Sequence, residues 1–259
     1  MGVKTIIAWT DKTVNFWIGC TRISPGCAHC YAETAMTRYG RDFSKLTRTK
    51  TWGEPLKWQK AAAAAGRTER VFTCSWSDFF HEDADRWRAE AWEVIRQCPN
   101  LQFQILTKRP ERILEEKRVY RGDKLSGFLD WESLLPLDWG DGWPNVWLGV
   151  SVENPKYLWR VDELRKVPAR IRFISAEPLL APLPTLDLAG ISWVIVGGES
   201  GPGYRPMKTE WARELLAKCR TAGVPFFHKQ ASALRTETGI ELDGKIYHEF
   251  PDVSAEAGR

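Results

Sequence analysis

The chain has 259 residues, 43% hydrophobic and 27% charged, enough to bury a sizeable core and unlike a disordered chain. No apolar run approaches the ~20 residues of a membrane span. The opening MGVKTIIAW also lacks the long apolar stretch of a signal peptide, so a cytoplasmic protein without a membrane partner is expected. A net charge of +4 permits a nucleic-acid partner without demanding one.

Short β-rich apolar runs alternate with helical patterns along the chain. In order, the pattern predicts a strand over 14–19, a helix over 28–39, a helix within 40–66 stopped by Gly66, and a strand over 70–75. A helix over 84–97, a strand over 101–107 and a helix over 110–118 follow. Beyond them come a strand over 145–151, a helix over 155–166, strands over 170–176 and 192–198, a helix over 209–222 and a strand over 224–229. Thr209 reads as the N-cap of the last helix and Gly223 as its stop. Residues 40–66 and 119–144 break the rhythm and read as insertions in a single domain, residues 1–259. Most of the 14 Trp fall in apolar runs or helical patterns, as core residues do.

Strands apolar on both faces, alternating with helices, imply a parallel sheet covered by helices: a partial or complete (β/α) barrel, or a doubly wound sheet. In either, functional groups collect beyond the C-terminal strand ends. The polar groups found there are Cys20, residues 75–78, Thr107 to Arg109, Ser151 with Glu153 and Asn154, Ser175 with Glu177, residues 197–200, and Lys229 with Gln230.

Three of the six cysteines crowd into GCTRISPGCAHCYAE, with spacing Cys20-x6-Cys27-x2-Cys30. Thiolates are soft ligands, suited to zinc or to an iron–sulfur cluster. Structural zinc wants a fourth ligand, for which Cys74 or His81 is available; a four-iron cluster on three thiolates leaves one iron open. An unmetallated cysteine cluster is the third reading.

These cysteines, with SAEPL (175–179), VGGESG (196–201) and FFHKQ (226–230), resemble the radical-SAM superfamily. More narrowly, the chain is similar to the phage-borne three-Cys-motif proteins and distantly to spore photoproduct lyase. The resemblance implies a partial parallel barrel of the radical-SAM (TIM-like) type, with six to seven strands and loop insertions. It implies a [4Fe–4S] cluster on Cys20, Cys27 and Cys30, with S-adenosylmethionine chelated at the open iron. One-electron reduction, from a flavodoxin- or ferredoxin-like donor, then cleaves the cofactor to methionine and a 5′-deoxyadenosyl radical that abstracts hydrogen from the substrate. Two features depart from the superfamily: its first cysteine gap is three residues shorter, and its Gly-Gly-Glu follows the second strand rather than the sixth.

Under this reading His29, Tyr31, Ser75, Lys108, Ser175, Gly197, Gly198 and Glu199 are the cofactor-binding candidates, and Asp78, Glu177 and Lys229 the catalytic ones. His29 stands where the superfamily often has an aromatic that packs on the adenine, and Tyr31 can assist it. Ser75 and Asp78 can replace the displaced Gly-Gly-Glu. Gly197 and Gly198 allow close backbone approach to a ligand. His81 and His228 read as core histidines. The basic run over 41–52 suits either a nucleic-acid backbone or a solvated loop. A redox or regulatory iron–sulfur protein and a zinc-stabilised nucleic-acid-binding protein are the competing functions. A methyltransferase fits less well, because its Gly-rich loop would follow the first strand.

Overall fold

The computed structural model describes residues 5–121 and 128–253. Seven strands form one wholly parallel sheet: β1 Lys12–Val14, β2 Glu69–Thr73, β3 Leu101–Thr107, β4 Val146–Ser151, β5 Ile171–Ala176, β6 Trp193–Gly197 and β7 Phe226–Gln230. Each strand pairs with the next in sequence, and the order never reverses. A doubly wound sheet requires a reversal, so the curled partial α/β barrel is the architecture.

The two faces of the sheet carry separate cores. Val71, Phe103, Ile105, Leu148, Ile174, Val194, Val196 and Phe226 pack outward with the helices α2 Glu54–Ala64, α3 Asp85–Arg96, α4 Trp159–Lys166 and α5 Thr209–Ala222. Alternate residues Phe72, Trp147, Ile171, Phe173, Trp193, Ile195 and Phe227 meet on the inner face, plugged by Trp9 from the N-terminal segment. Gly149 is glycine because a Cβ there would sit 2.4 Å from the Phe173 ring. The bore is therefore filled with aromatics near the strand starts. Toward the strand ends its inner positions turn polar, and there the candidate site forms.

Several expected elements change. The first strand leaves the sheet at Asn15, whose Oδ1 accepts from Trp76 N (2.8 Å); Trp17–Ile18 pairs instead with Thr47–Arg48. The segment expected as helix 110–118 is a 3₁₀ turn, Pro110–Arg112, followed by Glu116–Arg121 paired antiparallel to Phe128–Ser133. A backbone ladder thus replaces the helix over residues of strand propensity such as Val119 and Tyr120. That hairpin occupies much of the 119–144 insertion, whose residues 122–127 lie outside the described ones. The N-cap of α5 is Lys208 rather than Thr209, while Gly223, at φ +67°, ends it as expected. Among the described residues no helix is long and apolar enough to cross a membrane.

Candidate functional site

After Trp17–Ile18 the chain turns at Gly19 (φ +104°), where a Cβ would collide with Lys45 O at 2.6 Å. Cys20 N donates to Phe43 O (2.8 Å), so the first cysteine is fixed to the 40–50 segment. Pro25–Cys27 then forms a 3₁₀ turn, and Cys30 caps helix α1, Tyr31–Arg38. The helix starts three residues later than the pattern suggests, so the last cysteine stands at its N-terminus, beside the backbone N–H groups of Ala32 and Glu33. Burial raises the Cys30 thiol and these two donors oppose it. Burial, reinforced by Asp78, pushes Cys20 up to about 12, against Arg109. Both are neutral thiols in the metal-free chain, and a coordinating ion would displace their protons. All three cysteines are half-buried and free of disulfides, and Cys27 interacts electrostatically with both others.

Two buried carboxylates hold the loop. Glu153 is fully buried; its Oε1 accepts from Ser24 Oγ (2.6 Å) and Lys108 Nζ (2.9 Å), its Oε2 from Arg160 Nη1 (3.0 Å). Ser24 Oγ stands 3.6 Å from Cys27 Sγ. Burial opposes the Glu153 charge, but Lys108 and Arg160 outweigh it and the carboxyl lies below its usual range. Gly26 must be glycine, because a Cβ would lie 2.5 Å from Glu153 Oε1. Asp78, the second, accepts from Thr107 Oγ1 (2.6 Å), Phe80 N and Lys108 N (both 2.9 Å) and Arg109 Nη1 (3.4 Å). Arg109 in turn reaches Thr21 Oγ1 (2.6 Å) and Cys20 Sγ (3.8 Å). Asp78 is thus a brace whose oxygens are already engaged; its charge raises the Cys20 thiol while the Arg109 it holds lowers it. Glu153 stands among the polar strand-end groups of the sequence but not among its cofactor-binding or catalytic candidates.

The remaining candidates divide into two groups. Inside the mouth, Lys229 Nζ pairs with Glu177 Oε1 (3.0 Å), and Ser175 Oγ donates to Glu177 Oε2 (3.1 Å). Glu237, on the loop after β7, joins them: its Oε1 is buried without a hydrogen-bond partner. Burial raises its carboxyl, with Lys229 opposing and Glu177 reinforcing. Gly197 and Gly198 do not open space for a ligand. Glu177 Oε1 lies 2.6 Å from a Cβ at Gly197, and Ser232 N lies 2.2 Å from one at Gly198. On the rim, Glu199 is clamped by Arg205, whose Nε and backbone N donate to Oε2 at 2.9 and 2.8 Å and whose Nη2 donates to Oε1. His29 Nδ1 approaches the same Oε2 at 2.9 Å. Arg205 and His29 outweigh burial and take the Glu199 carboxyl down to about 2. His29 is therefore tied to a carboxylate rather than open to stack, whereas Tyr31, exposed, donates through its hydroxyl to Ser75 O. Ser75 Oγ is shared with the Asn15 side chain.

The fourth ligand that a zinc site needs is missing from both expected positions. Cys74 lies in the outer core, where burial pushes its thiol to about 12. Both ring nitrogens of His81 are taken: Nε2 by Thr21 Oγ1 (3.1 Å) and Nδ1 by Asp83 N (3.2 Å). Among the described residues no three or more His, Cys, Asp and Glu side chains are grouped to hold one metal ion. A four-iron cluster places its thiolates on separate irons, so its ligands stand around a body rather than a point. Three free soft thiols on one loop, with Arg109 beside Cys20 and Lys108 acting on Cys30, suit that chemistry. Beside the loop opens a cavity of about 400 Å³ bordered by Thr21, Ile23, Lys108, Arg109, Tyr157 and Trp159.

No curated protein and no solved structure matches the chain. Residues 4–251, which span all seven strands and every group described above, match the family described as "Protein of unknown function (DUF5131)", and the chain belongs to that family.

Proposed function

We propose that the chain is an iron–sulfur enzyme of the radical-SAM type, with Cys20, Cys27 and Cys30 as cluster ligands. The observation carrying this reading is that three undisulfided, half-buried thiols lie on one loop beyond the first strand of a parallel partial barrel, with Arg109 on Cys20 and Cys30 at a helix N-terminus. When bound, the cluster supplies the electron that cleaves S-adenosylmethionine.

The chain's own residues hold the loop, exclude water and fix charge. Glu153 and Ser24 set the turn at Cys27, and Arg109 with Thr21 sets Cys20. Aromatic packing closes the bore below, so a substrate is reached only from the mouth. There the Glu177–Lys229 pair and Glu237 offer a carboxylate, an ammonium and an unpaired acceptor to its polar groups. Tyr31 and the cavity beside Trp159 supply exposed rings for the cofactor's base. The test is turnover: anaerobic protein, reconstituted with iron and sulfide and reduced by dithionite, releases methionine and 5′-deoxyadenosine from S-adenosylmethionine. Release undiminished in the Cys27→Ala variant, or no release from protein carrying a full cluster, contradicts the reading. Bound cluster without cofactor cleavage leaves the redox-protein alternative.

A further inference from the structure

We infer that the segment from Arg38 to Lys50 is a docking surface for single-stranded nucleic acid, placed to lead the strand past the cysteine mouth. It carries five cations against one carboxylate, Asp42. Such runs are ordinarily solvated loops whose charges are neutralised by neighbours. Here Arg38, Arg41 and Lys50 are exposed and, among the described residues, have no carboxylate in ion-pair distance. Lys45 meets Asp42 only at 3.6 Å, with both side chains in solvent. Arg48 alone is firmly matched, to Glu90 at 2.6 Å, and its guanidinium stacks on Trp52 at 4.0 Å.

The segment is held rigid beneath this charge. Phe43 and Leu46 are buried, Asp42 Oδ1 caps Ser44, and Thr47–Arg48 pairs with Trp17–Ile18. Tyr39 stands among the cations at 75% exposure, an uncovered flat ring. Cations spaced along a fixed ridge and one free aromatic ring match a phosphodiester backbone with stacked bases better than they match an acidic peptide, which has no use for the ring. The eight residues of α1 carry this ridge about 12 Å from Cys30. Midway along the segment, Phe43 O accepts from Cys20 N. Delivery of a nucleotide to the cysteines rests on the proposed function above; binding does not, so metal-free protein is the test sample.

Anisotropy of labelled 12-nucleotide oligodeoxythymidylate and oligouridylate is followed from 50 to 200 mM salt, with polyglutamate and a 12-base-pair duplex as competitors. Four phosphate contacts, from Arg38, Arg41, Lys45 and Lys50, give a log–log salt slope of about −2.8, a weakening of roughly 50-fold over that range. Arg41→Gln with Lys50→Gln lowers the slope by about 1.4, and Tyr39→Ala weakens binding about tenfold. The sugar preferred by the native protein identifies DNA or RNA as the strand. Absence of binding at 50 mM salt, a slope unchanged in the double variant, or displacement by polyglutamate or duplex as effective as by the oligonucleotide itself overturns the inference. Unchanged circular dichroism of these surface variants separates lost binding from lost fold.

Discussion

Glu153→Gln removes one negative charge where no solvent can replace it. The carboxylate is fully buried; Arg160 is nearly so, and Lys108 is about a fifth exposed. Gln can still accept from Ser24, but it leaves two cations facing a neutral amide. Breaking a buried pair by deleting one partner costs about 3–5 kcal/mol. That is a large share of the ~5–15 kcal/mol that holds a typical domain together. At roughly 2–4 °C per kcal/mol for a chain of this size, Tm falls by about 6–20 °C at pH 7. Lys108→Ala in the Gln background recovers part of the loss, because one stranded charge is gone. A neutral amide accepts from Ser24 less strongly than the carboxylate and so loosens the turn at Cys27; alkylation of Cys27 in metal-free protein, read by mass spectrometry, speeds up relative to Cys98 in the core. The sign with pH follows from a carboxyl held below its usual range. Its stabilisation is complete above about pH 4.3, the unfolded value, and is lost as pH falls through the lower folded one. A Tm change under about 2 °C, or equal acceleration at Cys27 and Cys98, refutes this role.

Glu199, held at about 2, stays ionised through the range where free Glu titrates; carbon-13 NMR of its carboxyl is expected to place the midpoint at about 2, and a value near 4.3 contradicts the clamp by Arg205 and His29. Its contribution to stability is present above about pH 4.3 and lost toward pH 2. Gly198→Ala forces a Cβ to 2.2 Å from Ser232 N and costs about 1–3 kcal/mol in chemical denaturation; a neutral result means the loop after β7 does not pack on that glycine. Phe173→Ala empties the centre of the inner aromatic cluster and costs about 3–5 kcal/mol, and a loss under about 1 kcal/mol places the ring outside the core.

The alternation of apolar strands with helices was readable because each element obeys a local period, and β3 runs from Leu101 to Thr107 as its apolar run does. That order also put Cys20, Lys108, Glu177, Glu199 and Lys229 at one end of the sheet. What local pattern cannot carry is who meets whom across the mouth. Ser24 and Glu153 lie 129 residues apart, and His29 and Glu199 lie 170 apart. For the same reason Gly197 and Gly198 look like ligand space in sequence, while in the fold Glu177 and Ser232 take it. Trp17 carries strand propensity, but Asn15 accepts from Trp76 N and draws the chain out of the sheet before it. Arg205 and Glu237 sit in loops with no period at all, so only tertiary contact reveals them.

The central claim is the cluster. Protein purified and reconstituted without oxygen, then assayed for iron, sulfide and zinc, tests it most directly. About four irons and four sulfides per chain are expected, lost in each of Cys20→Ala, Cys27→Ala and Cys30→Ala and kept in Cys74→Ala. Zinc bound tightly at one per chain with no sulfide, or a cluster that survives loss of Cys27, would contradict it.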